Sequence, residues 1–203
     1  MISIKYFDKF TSQNNNLVIF ITKLAELRTI SLPFGLNSYL DNQSLISTLN
    51  KKKSLEVFHI TKKPKIHYKI ILKIVDIHNN NYFSSGSSIY DKFDYKEVKN
   101  LTFVFSKIIE KKNIIPQIIL SYQIQSYNFD KYLSKKKLYP KNLLISRKNN
   151  KINFNSINYN SNLVKSINFT KDLISEPANT LNPVTYAQRC KKINIQGLKI
   201  KIL

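Results

Sequence analysis

The stretch that most limits how this chain can fold is DLISEPANTLNP, from Asp172 to Pro183. A proline pushes the residue before it out of the helical region. A helix running through Leu173 and Ile174 must therefore stop near Glu176. Further on, Asn182-Pro183 reads as a helix start. Asn offers a capping oxygen, and proline suits the first helical position, where its missing N–H costs nothing. The stretch thus predicts helix, short rigid loop, helix. Two of the chain's alanines, Ala178 and Ala187, fall in or just after it, and the other is Ala25.

Strand patterns precede the junction. Leu17–Thr22 is a short apolar, β-branched run and predicts a first strand. Ser31–Gly35 reads as a loop, and Gln43–Lys52 as an amphipathic helix with Leu45, Ile46 and Leu49 at helical spacing. Leu55–Ile60 and His67–Ile77 read as a hairpin that turns at Pro64. His78–Ser88, polar and holding Gly86, reads as a loop, and Tyr90–Lys99 as a helix with Phe93 and Val98 inward. Leu101–Ser106 is a buried strand. A helix opens at Pro116, with Ile119, Leu120, Gln123 and Tyr127 on one face, and runs into the segment Ser126–Lys137. Leu143–Ser146 is a last strand, and the Asn-rich stretch Asn149–Asn160 reads as a linker. Leu163, Val164, Ile167 and Ile174 mark a connecting helix. A helix from Pro183 to about Ile193 follows, then a strand in LKIKIL with Leu198, Ile200 and Ile202 on one face.

Strands alternating with helices predict an α/β layered domain with a mixed sheet. A chain of 203 residues allows one domain or one and a fraction. Hydrophobic content of 42% argues against disorder. No apolar run approaches the length of a membrane span, so no membrane association is expected. Cys190 is the one cysteine, which excludes an intramolecular disulfide. With no signal-peptide pattern, it suits a reducing, cytoplasmic location.

The formal net charge is +21, a field that attracts polyanions. With 12 Tyr and 12 Phe it supplies material for a basic nucleic-acid-binding module. Against that, Lys, Asn, Ile, Tyr and Phe are residues of A/T-rich codons, so base composition accounts for much of the charge. The lysines are spread along the chain, tightest at Lys51–Lys53 and Lys135–Lys137, and no nucleic-acid motif is present.

Helix, then DL-x-x-x-PAN-x-x-x-P, then helix resembles the interdomain junction of the leucyl (cytosol) aminopeptidase family, on Asp172, Leu173, Pro177, Ala178, Asn179 and Pro183. The upstream segment SYNFDKYLSKKK, with Phe129, Asp130, Lys131 and Tyr132, resembles the end of the last large helix of that family's N-terminal domain. Lys171 stands where an arginine is usual and Ser175 where an asparagine is common. The resemblance implies a three-layer α/β N-terminal domain over 1–148. A linker, connecting helix and PAN loop follow over 149–182, then the first helix and strand of an incomplete catalytic domain over 183–203. It also implies a parent activity: removal of N-terminal residues from peptides, using two divalent metal ions (zinc or manganese), in a homo-hexamer.

The residues that would do such chemistry are missing from the sequence. Metal-dependent hydrolysis needs clustered ligands to hold ions and polarise water. The resembled family takes them from Gly-rich strand–loop segments and an Asn-Thr-Asp-Ala-Glu-Gly-Arg motif. This chain has only Gly35, Gly86 and Gly197, and neither segment. Asp91 and Asp94 are as close as any acidic pair and read as a solvated face. His59, His67 and His78 lack a Cys or carboxylate at ligand spacing. No catalytic or metal residue is therefore assigned. The expected partner is an aminopeptidase catalytic domain, in cis or as a separate chain, with a structural role for this part. The alternatives are the nucleic-acid module or a degenerate gene product.

Overall fold

Apolar residues alternating along short β-branched runs build the frame of the computed structural model. It describes residues 2–11, 15–33, 36–40, 43–60, 67–78, 82–95, 97–135, 140–147, 152–193 and 197–201. The strands are β1 (Ser3–Phe7), β2 (Asn16–Ile21), β3 (Ser54–Ile60), β4 (His67–Ile74), β5 (Asn100–Phe105) and β6 (Asn142–Ser146). They form one sheet in the order β1-β6-β5-β2-β4-β3. Every pairing is parallel except that of β3 with β4. The helices are α1 (Leu36–Leu40), α2 (Gln43–Lys52), α3 (Tyr82–Tyr90), α4 (Lys107–Lys111), α5 (Ile115–Gln125), α6 (Phe154–Ser175) and α7 (Pro183–Lys191). A 3-10 turn covers Leu24–Arg28.

Alternation along each strand splits the core in two. Val18 and Phe20 of β2, with Phe103 and Phe105 of β5, face Ile89 of α3, Ile118 and Tyr122 of α5 and Ile157 of α6. Leu17, Ile19 and Ile21, with Ile70 and Leu72 of β4, face Leu27, Leu36, Leu40 and Leu49 on the other side. Helices therefore cover both faces, giving the expected three-layer α/β architecture with a mixed sheet. Six buried aromatic rings lie in the first core: Phe20, Tyr90, Phe93, Phe103, Phe105 and Tyr122. Phe20 stacks on Phe105 at 4.9 Å and meets Phe103 at 5.0 Å, and Phe103 meets Tyr122 edge-on at 5.2 Å.

Several expectations need correction. The polar stretch read as a loop over 78–88 holds α3 from Tyr82 onward, and Gly86 lies inside that helix. Its role is close packing, not a turn. A Cβ there would lie 1.9 Å from the Ile118 carbonyl oxygen and 2.2 Å from Ser121 Oγ. The helix expected over 90–99 does not form: Tyr90 is the last residue of α3 and the described residues after it are not helical, although Phe93 and Val98 are buried as expected. The helix through Pro116 stops at Gln125 instead of reaching the FDKYLSKKK segment. There the Ser126 hydroxyl turns back onto the Gln123 carbonyl at 2.7 Å, and the Asn128 amide donates to the Ser126 carbonyl at 3.2 Å. Both are side-chain bonds that compete with helix continuation.

The Asn-rich stretch read as linker is helical from Phe154. Asn153 caps it by accepting the Ser156 N–H at 3.1 Å, and Asn160 donates to the Pro116 carbonyl at 3.0 Å. On that helix Val164 is buried, but Leu163 and Ile174 are exposed. Leu198–Lys201 form no strand. The period-2 pattern is present, but no described strand lies alongside to pair with it. The first strand is β1, not Leu17–Thr22; as an edge strand with Ile4 and Tyr6 only half-buried it carries a weak pattern. The turn at Pro64 and the loop at Phe34-Gly35 lie outside the described residues.

Candidate functional site at the α6–α7 junction

Pro177 ends α6 as its chemistry requires: Glu176, just before it, is extended at φ −70° and ψ 135°. The Pro177 carbonyl then accepts the N–H groups of Thr180 and Leu181, each at 2.9 Å, closing a tight turn. Asn182 caps α7 by accepting the Thr185 N–H at 2.9 Å, while the Thr185 hydroxyl oxygen accepts the Asn182 N–H at 2.9 Å. The two bonds form a reciprocal capping box with Pro183 in the first turn.

Glu176 is the centre of the junction. A carboxylate at a helix C-terminus faces the negative end of the dipole and needs cations to hold it there. Its Oε1 accepts from Lys131 Nζ at 2.5 Å and from Arg189 Nη2 at 3.0 Å, and its Oε2 accepts from the Tyr132 hydroxyl. With these partners in place the Glu176 side chain is 2% exposed. The Lys131 ammonium first, then the Tyr132 hydroxyl and the Arg189 guanidinium, draw the carboxyl down to about 2 against the opposing effect of desolvation. One carboxylate thus clasps three parts of the chain: the 126–135 segment, the end of α6 and the last turn of α7.

A second set of contacts seats α6 beside α5. The Tyr127 hydroxyl donates to Asp172 Oδ1 at 2.9 Å. Lys171 Nζ reaches the Ile124 carbonyl at 3.4 Å and lies 5.0 Å from the centre of the Tyr127 ring. The Asn128 amide donates to the Tyr90 hydroxyl at 2.9 Å, tying the same segment to the end of α3. A cavity of about 350 Å³ lies under the clasp, lined by Phe129, Asp130, Lys131, Leu173, Glu176 and Arg189 among others.

The structure brings Lys131, Tyr132 and Asp172 into the junction's bonds. Phe129 packs edge-on against Tyr132 at 5.8 Å, and Leu173 is half-buried. Pro177, Ala178, Asn179 and Pro183 are exposed and act through backbone shape. Sequence reading missed Glu176 and Arg189 as site residues. The signal was available in part: an acid placed at a helix C-terminus is unfavourable unless a cation answers it. That the answer comes from both Lys131 and Arg189 follows only from the three-dimensional arrangement.

The junction does not suit a divalent metal, because its one central carboxylate is already taken by two cations. Among the described residues no three His, Cys, Asp or Glu side chains cluster closely enough to hold an ion. His67, His78, Asp91 and Asp94 are all exposed, and Cys190 is half-buried. No described helix is long and apolar enough to cross a membrane.

No protein-family model matches the chain. It is 28% identical over 126 residues to a probable cytosol aminopeptidase of Clostridium tetani, a match covering 60% of this chain and 26% of that protein. It is 36% identical over 86 residues to the probable cytosol aminopeptidase of Sulfurihydrogenibium sp., covering 37% of this chain and 16% of that protein. Its fold matches a mutant of tomato leucine aminopeptidase with a TM-score of 0.65 at 17% identity, over 95% of this chain and 42% of the other. It also matches the bottromycin maturation enzyme BotP, solved with Mn, with a TM-score of 0.56 at 9% identity, over 88% of this chain and 35% of the other. Sequence and fold together therefore relate the chain to the leucyl (cytosol) aminopeptidase family, of whose matched members it spans less than half.

Proposed function

We propose that this chain is the non-catalytic N-terminal part of a leucyl aminopeptidase-like metallo-exopeptidase. Its own role is structural: a layered domain over 1–148, tethered through 149–182 to the start of a catalytic domain from 183 onward. The metal ions and the peptide-cutting groups belong to that catalytic domain, in cis or on a separate chain. The observation that carries this reading is the apolar surface on and beyond α6. Ile174 is 79% exposed, Val184 66%, and Tyr186 and Leu198 48% each, on elements otherwise held by polar contacts. Large apolar side chains gathered on one arm mark a surface that another body covers. The clasp at Glu176 fixes the angle at which that arm leaves the layered domain.

The nucleic-acid reading has less support. Phe20, Phe103, Phe105, Tyr68 and Tyr122 are fully buried and unavailable for base stacking, although Tyr159, Tyr132 and Tyr186 are among the aromatic side chains left exposed. The test is to assay the purified chain for release of leucine from a leucyl peptide with added zinc or manganese. No release is expected. Co-expression with a catalytic domain taken from one of the longer relatives should give a stable complex. Metal-dependent release by the chain alone refutes the reading, and so does failure of Ile174→Asp with Val184→Asp to weaken that complex.

A further inference from the structure

A crevice of about 450 Å³ opens where β2 and β4 end, away from the junction and independent of the aminopeptidase reading. Open α/β sheets bind ligands outside the carboxyl ends of neighbouring parallel strands whose connections leave on opposite faces. β2 and β4 are such a pair. They run parallel in register, Ile21 beside Ile74. From β2 the chain leaves toward Leu27, Leu36, Leu40 and Leu49, which pack on one face. From β4 it leaves into α3, whose Ile89 and Tyr90 pack on the other.

The crevice is lined with cationic and hydroxyl groups. Lys53 and Lys73 both line it, and the Ile74 N–H donates to the Lys53 carbonyl at 3.0 Å, holding the two positions side by side. No described carboxylate pairs with either lysine. Ser85, only 3% exposed, also lines it. His78 and Asp76 stand at the rim, where Asp76 Oδ1 accepts the His78 N–H at 2.9 Å. Counting Asp76, the lining keeps an excess of positive charge. Burial, and then the charge of Lys92, holds the Lys73 ammonium below the usual lysine range, as expected for a half-buried cation short of an anion.

We propose that this crevice binds the phosphate group of a small phosphorylated molecule, with the Lys53 and Lys73 ammoniums and the Ser85 hydroxyl donating to its oxygens. Two ammoniums beside one buried serine suit a single phosphoryl group better than the extended backbone of a nucleic acid.

The test titrates the full chain with inorganic phosphate and then pyrophosphate at fixed ionic strength, followed by calorimetry and by phosphorus NMR line width. Saturable binding is expected, with chloride in place of phosphate giving none. Lys53→Met with Lys73→Met should weaken it by about tenfold or more, the scale of lost charge-assisted bonds. The exposed control pair Lys111→Met with Lys112→Met should leave it unchanged. Ser85→Ala, which keeps the charge, should weaken it by a smaller factor and serves if the lysine double variant fails to fold. Three results overturn the proposal: no saturation, equal loss in the control pair, or a short single-stranded DNA displacing phosphate at lower concentration than pyrophosphate does.

Discussion

The central strands and the α6–α7 arm are held by opposite kinds of interaction. In β2 and β5 every side chain from Leu17 to Ile21 and from Leu101 to Phe105 is fully buried, on one face of the sheet or the other. In α7 no side chain is buried, and in α6 only Ile157 and Val164 are. The arm is positioned instead by directed polar contacts: Glu176 with Lys131, Tyr132 and Arg189, Asp172 with Tyr127, Asn160 with the Pro116 carbonyl. Apolar burial is non-directional and scales with area, whereas a carboxylate clasp depends on geometry, pH and salt. The sheet should therefore unfold as one unit, while the arm opens locally at lower cost.

The largest effect that tests this difference is in the sheet. Phe103→Ala removes a ring in contact with Phe20, Phe105 and Tyr122, and should cost about 3–5 kcal/mol. Chemical denaturation followed by far-UV circular dichroism measures it. A loss confined to one face, with β2 amides still protected, would break the picture of a single cooperative unit. Next comes Gly86→Ala, which forces a methyl into the contact between α3 and α5. Overpacking of this kind costs about 1–3 kcal/mol. The variant should lower the denaturation midpoint without changing its slope, and an unshifted midpoint would show that the two helices can part freely.

Gly86 also shows where sequence reading fails. A glycine among serines fits a loop by composition, and only the Ile118 carbonyl lying across it reveals a packing role. The strands from Asn16, Asn100 and Asn142 were legible because a doubly covered sheet writes continuous apolar runs into the chain. The helix stop at Glu176 and the start at Asn182-Pro183 were legible because proline and Asn act through local backbone chemistry. The Asn-rich start of α6 was not, because its asparagines cap, face solvent or bond to α5 across a long sequence separation. At the junction, Lys131 and Tyr132 could be picked out by resemblance, but their common partner Glu176 could not. The clasp joins residues far apart in the chain, and no local pattern encodes that meeting.

A smaller effect is expected from the clasp itself, and pH should reveal it. The Glu176 carboxyl is depressed to about 2 in the folded chain, below the usual glutamate value. Its contribution is therefore fully present above the unfolded value of about 4.3 and is lost as pH falls toward 2. Amide exchange in α7 should quicken over that window while β2 and β5 remain protected. In Glu176→Gln, the quickening should already be present at neutral pH and the pH dependence should vanish. Equal protection of α7 and β2 at every pH would remove the distinction between the two regions.

The smallest effect isolates α7 from everything around it. Asn182→Ala removes the acceptor for the Thr185 N–H and should cost about 1 kcal/mol, the usual worth of such a cap. Because α7 buries no side chain, that cost should stay within α7 and leave the global denaturation midpoint in place. Asn182→Asp restores an acceptor and adds a negative charge at the helix N-terminus, so it should recover protection fully. A fall in the global midpoint on Asn182→Ala would mean that α7 is coupled to the sheet through the Glu176–Arg189 contact more tightly than its exposure implies. The double variant Glu176→Gln with Asn182→Ala separates the two cases. Additive losses place cap and clasp on independent footings, and a loss no larger than that of Glu176→Gln alone means that the cap matters only while the clasp is closed.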